Sequence, residues 1–331
     1  MLADLKSRAE GYSREPCRAV MLAENMSRWA ATCSGAPGHS KRFDTELCGG
    51  GKQIFRSGVT KNGRRAVTYV RNQKAASQLL TYELAGLLDL EGPPRQGVSL
   101  QSSAPANAST FVFSFVRDPL DAALDAYLEL RHLATLRSPQ YRGAIARAVG
   151  GPSSKVVNPC RGQSDATQQF ISFLKAVRRG DPLGGDAYHA YPQALKLDHV
   201  RSGSLSHASA TATADDASNG GASERGKRRQ SKTTDEATSQ PADRSDSSRD
   251  RGYDAIGTVE NFEAGVLSIR ALLGLPEANL TSILLSRRHS HRHDSCAKVD
   301  RHDAALAALA CEVYAADYVC FGYSAKLCGR V

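Results

Sequence analysis

Lys74 stands in the run Arg71-Asn72-Gln73-Lys74-Ala75-Ala76-Ser77-Gln78, where the residues that follow it are small. A mobile positive charge beside Ala75, Ala76 and Ser77 leaves the backbone open to the oxygens of a phosphate or sulfate, which a bulky neighbour would block. A second cation, Arg117, ends the apolar run Phe111 to Val116 and is followed by Asp118-Pro119-Leu120-Asp121. The pattern GxxxxGK[ST] is missing, so an ordinary nucleoside triphosphatase loop is not supported. Two separated cations of this kind suit a ligand with two separated anionic groups.

Both cations need strand tips to hold them. Ala66 to Val70 (AVTYV) reads as a short strand, and a helix opens around Ser77 and continues to about residue 90. The first N–H groups of that helix have no acceptor within it, and with the positive end of the helix dipole they face the turn. Phe111 to Val116 (FVFSFV) reads as a fully buried strand. It enters a helix over 119–133, with Asp118 as N-cap, Pro119 at the first helical position, Asp121 in the first turn and Leu120, Leu124, Tyr127 and Leu128 at helical spacing. Further helices are expected over 165–178, 260–273 and 303–317, with a short strand near 254–257. Strands alternating with helices predict an α/β fold, a parallel sheet covered on both faces, with ligands collected at the carboxyl ends of its strands.

With these elements in place the chain resembles the sulfotransferases that use 3′-phosphoadenosine 5′-phosphosulfate, most of all the Golgi carbohydrate sulfotransferases. Arg71 to Gln78 looks like their 5′-phosphosulfate loop. Phe115 to Glu129 is similar to their 3′-phosphate segment, a buried strand ending in Val-Arg-Asp-Pro with a Tyr ten residues after the Arg, here Tyr127. Further matches follow in the family's order: Cys160 before Phe170, Phe173 and Leu174; His189-Ala190-Tyr191-Pro192-Gln193; and Tyr253-Asp254-Ala255-Ile256-Gly257 with Glu260-Asn261-Phe262. Tyr314, Asp317, Tyr318, Phe321, Gly322 and Tyr323 close the set, so the resemblance runs from about Arg65 to Tyr323 with one insertion.

The resemblance implies a three-layer α/β/α, P-loop NTPase-like sulfotransferase fold with a central parallel sheet. It implies a sulfuryl transfer from 3′-phosphoadenosine 5′-phosphosulfate (PAPS), without a metal, to a hydroxyl or amine of a carbohydrate acceptor, and a place in the Golgi lumen. The donor would lie against Gln73, Lys74, Ala75, Ala76, Ser77 and Gln78 at its 5′ end, and against Arg117 and the position of Asp125 at its 3′ end. Two positions depart from the family's pattern: Asp125, eight residues after Arg117, replaces the usual Ser, and Gln73 replaces the usual Pro. A carboxylate facing a phosphate repels it unless a cation such as Arg117 lies between them. That departure keeps a second reading in play, a catalytically degenerate relative that binds or scaffolds. A nucleotide-dependent phosphotransferase is disfavoured by the missing phosphate-loop and magnesium-ligand signatures.

In such a transfer charge builds on the bridging and leaving oxygens, which Lys74 and the helix amides would stabilise. The acceptor must also lose a proton to a base within hydrogen-bond reach. No His lies between Ser77 and Arg117, and of the acids there, Glu83, Asp89 and Glu91, Glu83 sits inside the helix and Glu91, next to the Gly92-Pro93-Pro94 stop, is the better acid. His132 and His189 are the better imidazoles.

Composition fits one catalytic domain. The chain has 331 residues, and 201–251 is Ser, Ala, Thr, Asp, Arg and Gly with almost no large apolar residue, a low-complexity insert expected to be disordered. The sulfotransferase domain is therefore expected over 62–200 and 252–331, with 1–61 an arm that packs on it or lines the acceptor cleft. The net charge is +9, while the insert carries nine Lys/Arg against eight Asp/Glu, so nearly all the surplus sits outside it and suits an anionic donor or an acidic glycan. Nucleic acid is not expected as a partner, because no basic helix with interleaved aromatics and no nucleic-acid module is present.

The basic, His-rich run Arg287 to Cys296 offers metal-ligand types, but its arginines repel a divalent cation, so an anion contact or a solvated loop is expected there. Eight cysteines show no CxxC pair. Disulfides would fit a lumenal enzyme, and buried thiols would serve equally at Cys311 and Cys320. No apolar run approaches the length of a bilayer crossing, and the first residues carry no signal-peptide core, so no membrane segment is expected in this chain.

Overall fold

A computed structural model describes residues 2–23, 55–62, 65–72, 74–97, 110–136, 139–149, 166–183, 187–198, 252–281, 283 and 299–323. The low-complexity insert, the Arg287 to Cys296 run, Cys160 and Gln73 lie outside the described residues.

Three parallel strands form the centre. The first of them, Ala66–Val70, is buried at every position and pairs with Thr110–Val116, which pairs in turn with Ala255–Thr258. With the two further strands these are β2, β4 and β5; β1 is Phe55–Val59 and β3 is Arg95–Gly97, and the sheet order is β3-β1-β2-β4-β5. The expected parallel sheet holds for these three central strands, and the β1–β3 flank departs from it. β1 runs antiparallel to both β2 and β3. The reason is chain length: β1 reaches β2 through a tight turn in which the Thr60 N–H donates to the Arg65 carbonyl at 3.2 Å, whereas a parallel neighbour needs a crossover of a dozen or more residues.

Alternate residues of the central strands feed two cores, as strand geometry requires. Val67, Tyr69, Phe111, Phe113 and Phe115 face α3 (Ser77–Leu87) and α7 (Phe262–Leu272). Val70, Val116 and Ile256 face the other way, towards Tyr12, Ala194, Leu197, Ala316 and Phe321. Gly257 is required by packing, since a Cβ there would lie 2.5 Å from Cε1 of Phe115. A third core joins α4 (Pro119–Leu136), α5 (Pro139–Ala148), α6 (Ala166–Arg179) and α8 (Ala304–Val313) around Tyr127, Phe170 and Phe173.

The expected helix over 303–317 is two helices. α8 starts on Asp303, whose side chain accepts the Leu306 N–H, and ends at Tyr314; α9 (Ala315–Phe321) leaves at 76° to it. The break lets the Tyr314 hydroxyl donate to the Ala190 carbonyl at 2.9 Å. Chain before residue 62 supplies β1 to the sheet, while α1 (Leu2–Ser13) lies along β5 and α2 (Glu15–Ala23) packs on α9. A Cys17–Cys320 disulfide fastens α2 to α9 across 303 residues of sequence, and Cys311 is disulfide-bonded as well, so neither Cys311 nor Cys320 is a free thiol. Among the described residues no single helix is long and apolar enough to cross a membrane.

Candidate functional site

The turn after β2 is built from strained backbone. Lys74 has φ 67° and Ala76 φ 54°, both left-handed, and the Ala75 N–H closes onto the Asn72 carbonyl at 3.3 Å. Each such residue without a glycine costs on the order of 1 kcal/mol. Ala76 is the N-cap of α3 and has no side-chain acceptor to offer the first amides of the helix. Helix, turn and small residues thus form an anion cradle at the carboxyl end of a central strand.

The turn after β4 has the opposite construction. Asp118 Oδ1 accepts the Leu120 and Asp121 N–H groups at 3.0 and 3.1 Å, the cap that the sequence predicts. The Asp118 N–H donates to Glu260 Oε1 at 2.7 Å, and Glu260 also accepts from the Tyr323 hydroxyl. Arg117 projects from this closed turn.

Helix α4 brings the two turns into one electrostatic unit. Asp121, Asp125 and Glu129 recur every fourth residue and so share one face. Arg117 pairs with Asp125 through Nη1 and lies 4.0 Å from Asp121 through Nη2, while Lys74 Nζ is 3.5 Å from Glu129. Asp121 is also held by Arg301 at 2.6 Å. Asp125 and Glu129 are one helical turn apart, so the two strand-tip cations meet α4 at points separated by about 6 Å. Burial pushes the Lys74 ammonium below its ordinary pKa, and the Glu129 and Asp125 carboxylates hold it up in part.

A polar segment closes the site from the third side. His189 lies on a short 3-10 turn, Ala187–Ala190, and its carbonyl accepts from the buried Lys196 ammonium at 3.1 Å. Burial first, then the charges of Lys74, Lys196 and Arg71, hold the His189 imidazole well below the usual histidine value. Lys196 is itself pushed down by burial and opposed by Asp317, whose carboxyl burial pushes up. Asp317 accepts the Ala194 N–H at 2.7 Å and anchors this segment to α9.

Of the sequence-derived candidates, Lys74, Ala75, Ala76, Ser77, Arg117, Asp125 and His189 gather at this edge of the sheet. Gln78 contributes backbone to the first turn of α3. Asp125 turns to Arg117, so a cation does stand beside the carboxylate that departs from the family's pattern. Glu91 does not join them. Its N–H donates to the Val59 carbonyl, opposite the start of β2, and α3 separates that edge from Lys74 by about 16 Å. His132 is exposed on the acidic face of α4, one turn beyond Glu129. Asp89 is taken by the buried Arg270, at 2.6 Å. Sequence reading did not assign roles to Asn72, Glu129 or Lys196. Glu129 had a signal, its four-residue spacing from Asp125; Lys196, set among apolar residues, had none.

Among the described residues no group of three His, Cys, Asp or Glu side chains is placed to hold a metal ion. Set against known proteins, the chain finds no match among family models, curated proteins or solved structures.

Proposed function

We propose that the chain is a sulfotransferase with a P-loop NTPase-like sulfotransferase fold, moving a sulfuryl group from PAPS to a hydroxyl or amine of a carbohydrate acceptor. One observation carries the reading: two cations at the tips of adjacent parallel strands, about one helical turn apart along α4, a spacing that two phosphates on one ribose can bridge. Lys74 and the open amides of α3 take the 5′-phosphosulfate, and Arg117 takes the 3′-phosphate. His189 is the base. The acceptor oxygen forms a bond to sulfur as the bond from sulfur to the phosphate oxygen breaks; the acceptor proton passes to His189, and adenosine 3′,5′-bisphosphate leaves. Burial depresses His189 most and the Lys74 charge comes next; the donor neutralises Lys74, so donor binding raises the basicity of His189 when it is needed. A lumenal, oxidising compartment such as the Golgi is in keeping with the Cys17–Cys320 disulfide.

The rival is a binding or scaffolding relative without turnover. It is favoured by the pairing of both cations with carboxylates of α4, which a donor must displace. Calorimetric titration with adenosine 3′,5′-bisphosphate, followed by transfer assays with labelled donor on a glycan panel, separates the two. Tight binding with transfer supports the enzyme, tight binding alone supports the scaffold, and no binding removes both. Preference for ATP with magnesium would point to a phosphotransferase.

A further inference from the structure

Arg117 lies just beyond the ladder of the sheet, whose β4–β5 register ends with Val116 opposite Thr258. Its backbone N–H and carbonyl therefore need partners from elsewhere, and one side chain supplies both. Gln193 Oε1 accepts the Arg117 N–H at 2.9 Å, and Gln193 Nε2 donates to the Arg117 carbonyl at 2.7 Å, the double bond pattern of a neighbouring strand residue. The same Oε1 accepts from Asn72 Nδ2 at 3.1 Å, and that amide also donates to the Phe115 carbonyl at 2.9 Å. Asn72 sits two residues before Lys74. The side chains of Gln193 and Asn72 are buried, at 1% and 0% exposure, so water cannot substitute for these bonds at little cost. Gln193 is itself braced from α9, through the Ala194 N–H to Asp317 and through its own Nε2, 3.5 Å from Asp317.

We infer that Gln193 is a positioning residue that sets the spacing between the Lys74 and Arg117 turns, and with it the length of two-ended anion that the site accepts. The inference rests on the sulfotransferase reading. A ligand gripped at both ends gains from the second contact only when the grips stand at its own span; otherwise the second contact adds nothing. Gln193 meets no ligand in this role. It acts through the peptide of Arg117 and the amide of Asn72, and it carries His189, four residues upstream on the same segment, into the same frame.

The test compares one bivalent and two monovalent probes by calorimetry: adenosine 3′,5′-bisphosphate, adenosine 5′-phosphate and adenosine 3′-phosphate. Wild-type protein is expected to bind the bisphosphate about 100-fold tighter than either monophosphate. Gln193→Met keeps the shape and removes every one of the bonds. It should cut that advantage roughly tenfold while each monophosphate binds within about twofold of wild type. An unchanged ratio overturns the inference. So does an equal loss for all three probes with a lower Tm, which marks general loosening rather than altered spacing. Asn72→Ala, which cuts only the link from the β2 turn, carries the same test should Gln193→Met fail to fold. Wild-type protein that binds the bisphosphate no better than a monophosphate removes the sulfotransferase reading and the spacing role together. That result is read before any variant is made, so the two failures stay distinct.

Discussion

The two strand-tip turns each pair one cation with a carboxylate of α4, yet they are made in opposite ways. After β2 the backbone is left-handed at Lys74 and Ala76, and α3 starts without a side-chain cap, so its amides stay open to a guest. After β4 the helix start is closed by Asp118 and braced by Glu260, and only the Arg117 side chain is offered. An open turn stores strain and surrounds a charged group with many weak donors. A closed turn is cheap to form and offers one strong, forked donor. Under the proposed function the difference suits the β2 turn to the reacting end of a donor, where charge must be stabilised as it develops, and Arg117 to a fixed, unreactive phosphate.

Removing the cation from the open turn breaks this division of labour most severely. Lys74→Ala should lower turnover about 10²–10³-fold, or ~2.7–4 kcal/mol of barrier, with a smaller effect on binding of the bisphosphate product, as read from steady-state kinetics and calorimetry. Equal losses in both would mean that Lys74 only binds. At the closed turn, Asp125→Ser removes the nearer of the two carboxylates at Arg117 and should tighten adenosine 3′,5′-bisphosphate binding severalfold, by ~1 kcal/mol, with little effect on adenosine 5′-phosphate. Unchanged affinity would separate Asp125 from the 3′ end.

The strain of the open turn gives a smaller effect. Ala76→Gly removes the left-handed penalty and should raise stability by up to ~1 kcal/mol, visible as a higher midpoint in urea. A drop in stability would mean that the methyl group packs for more than the strain it causes. The smallest expected effect concerns pH. Because the His189 pKa is depressed, the neutral, proton-accepting imidazole persists as pH falls through the usual histidine range near 6.5. The kcat/KM for transfer, which reports the protein before the donor binds, should therefore stay level between about pH 7 and 6. A rate that halves near 6.5 would take the role of base away from His189.

How much of this was legible depended on how local the signal was. β2, β4, the Asp118 cap and the start of α3 follow from residue patterns a few positions long, and they stand within a residue or two of where the sequence puts them. β1 and β3 are short and include Arg, Ser and Gly, which lack the alternation or apolar run that marks a strand; their pairing is decided by partners elsewhere. The break at Tyr314 is invisible in an apolar helical run, because it is fixed by the contact of that hydroxyl with Ala190. Glu91 was misplaced by nearness in sequence, since a helix carried it to the far edge of the sheet. The Gln193 bonds join residues 76 and 121 positions apart, a separation that no local spacing encodes.

The Cys17–Cys320 bond has a practical side. Cys320 and Asp317 share the single short helix α9, three residues apart, so the covalent tether and the brace of Gln193 act on the same two turns of backbone. Material made in a reducing cytosol would fold without the fastener at one end of that helix. It is expected to understate affinity for the proposed donor, so secretory or oxidative production is the sounder starting point for every measurement named above.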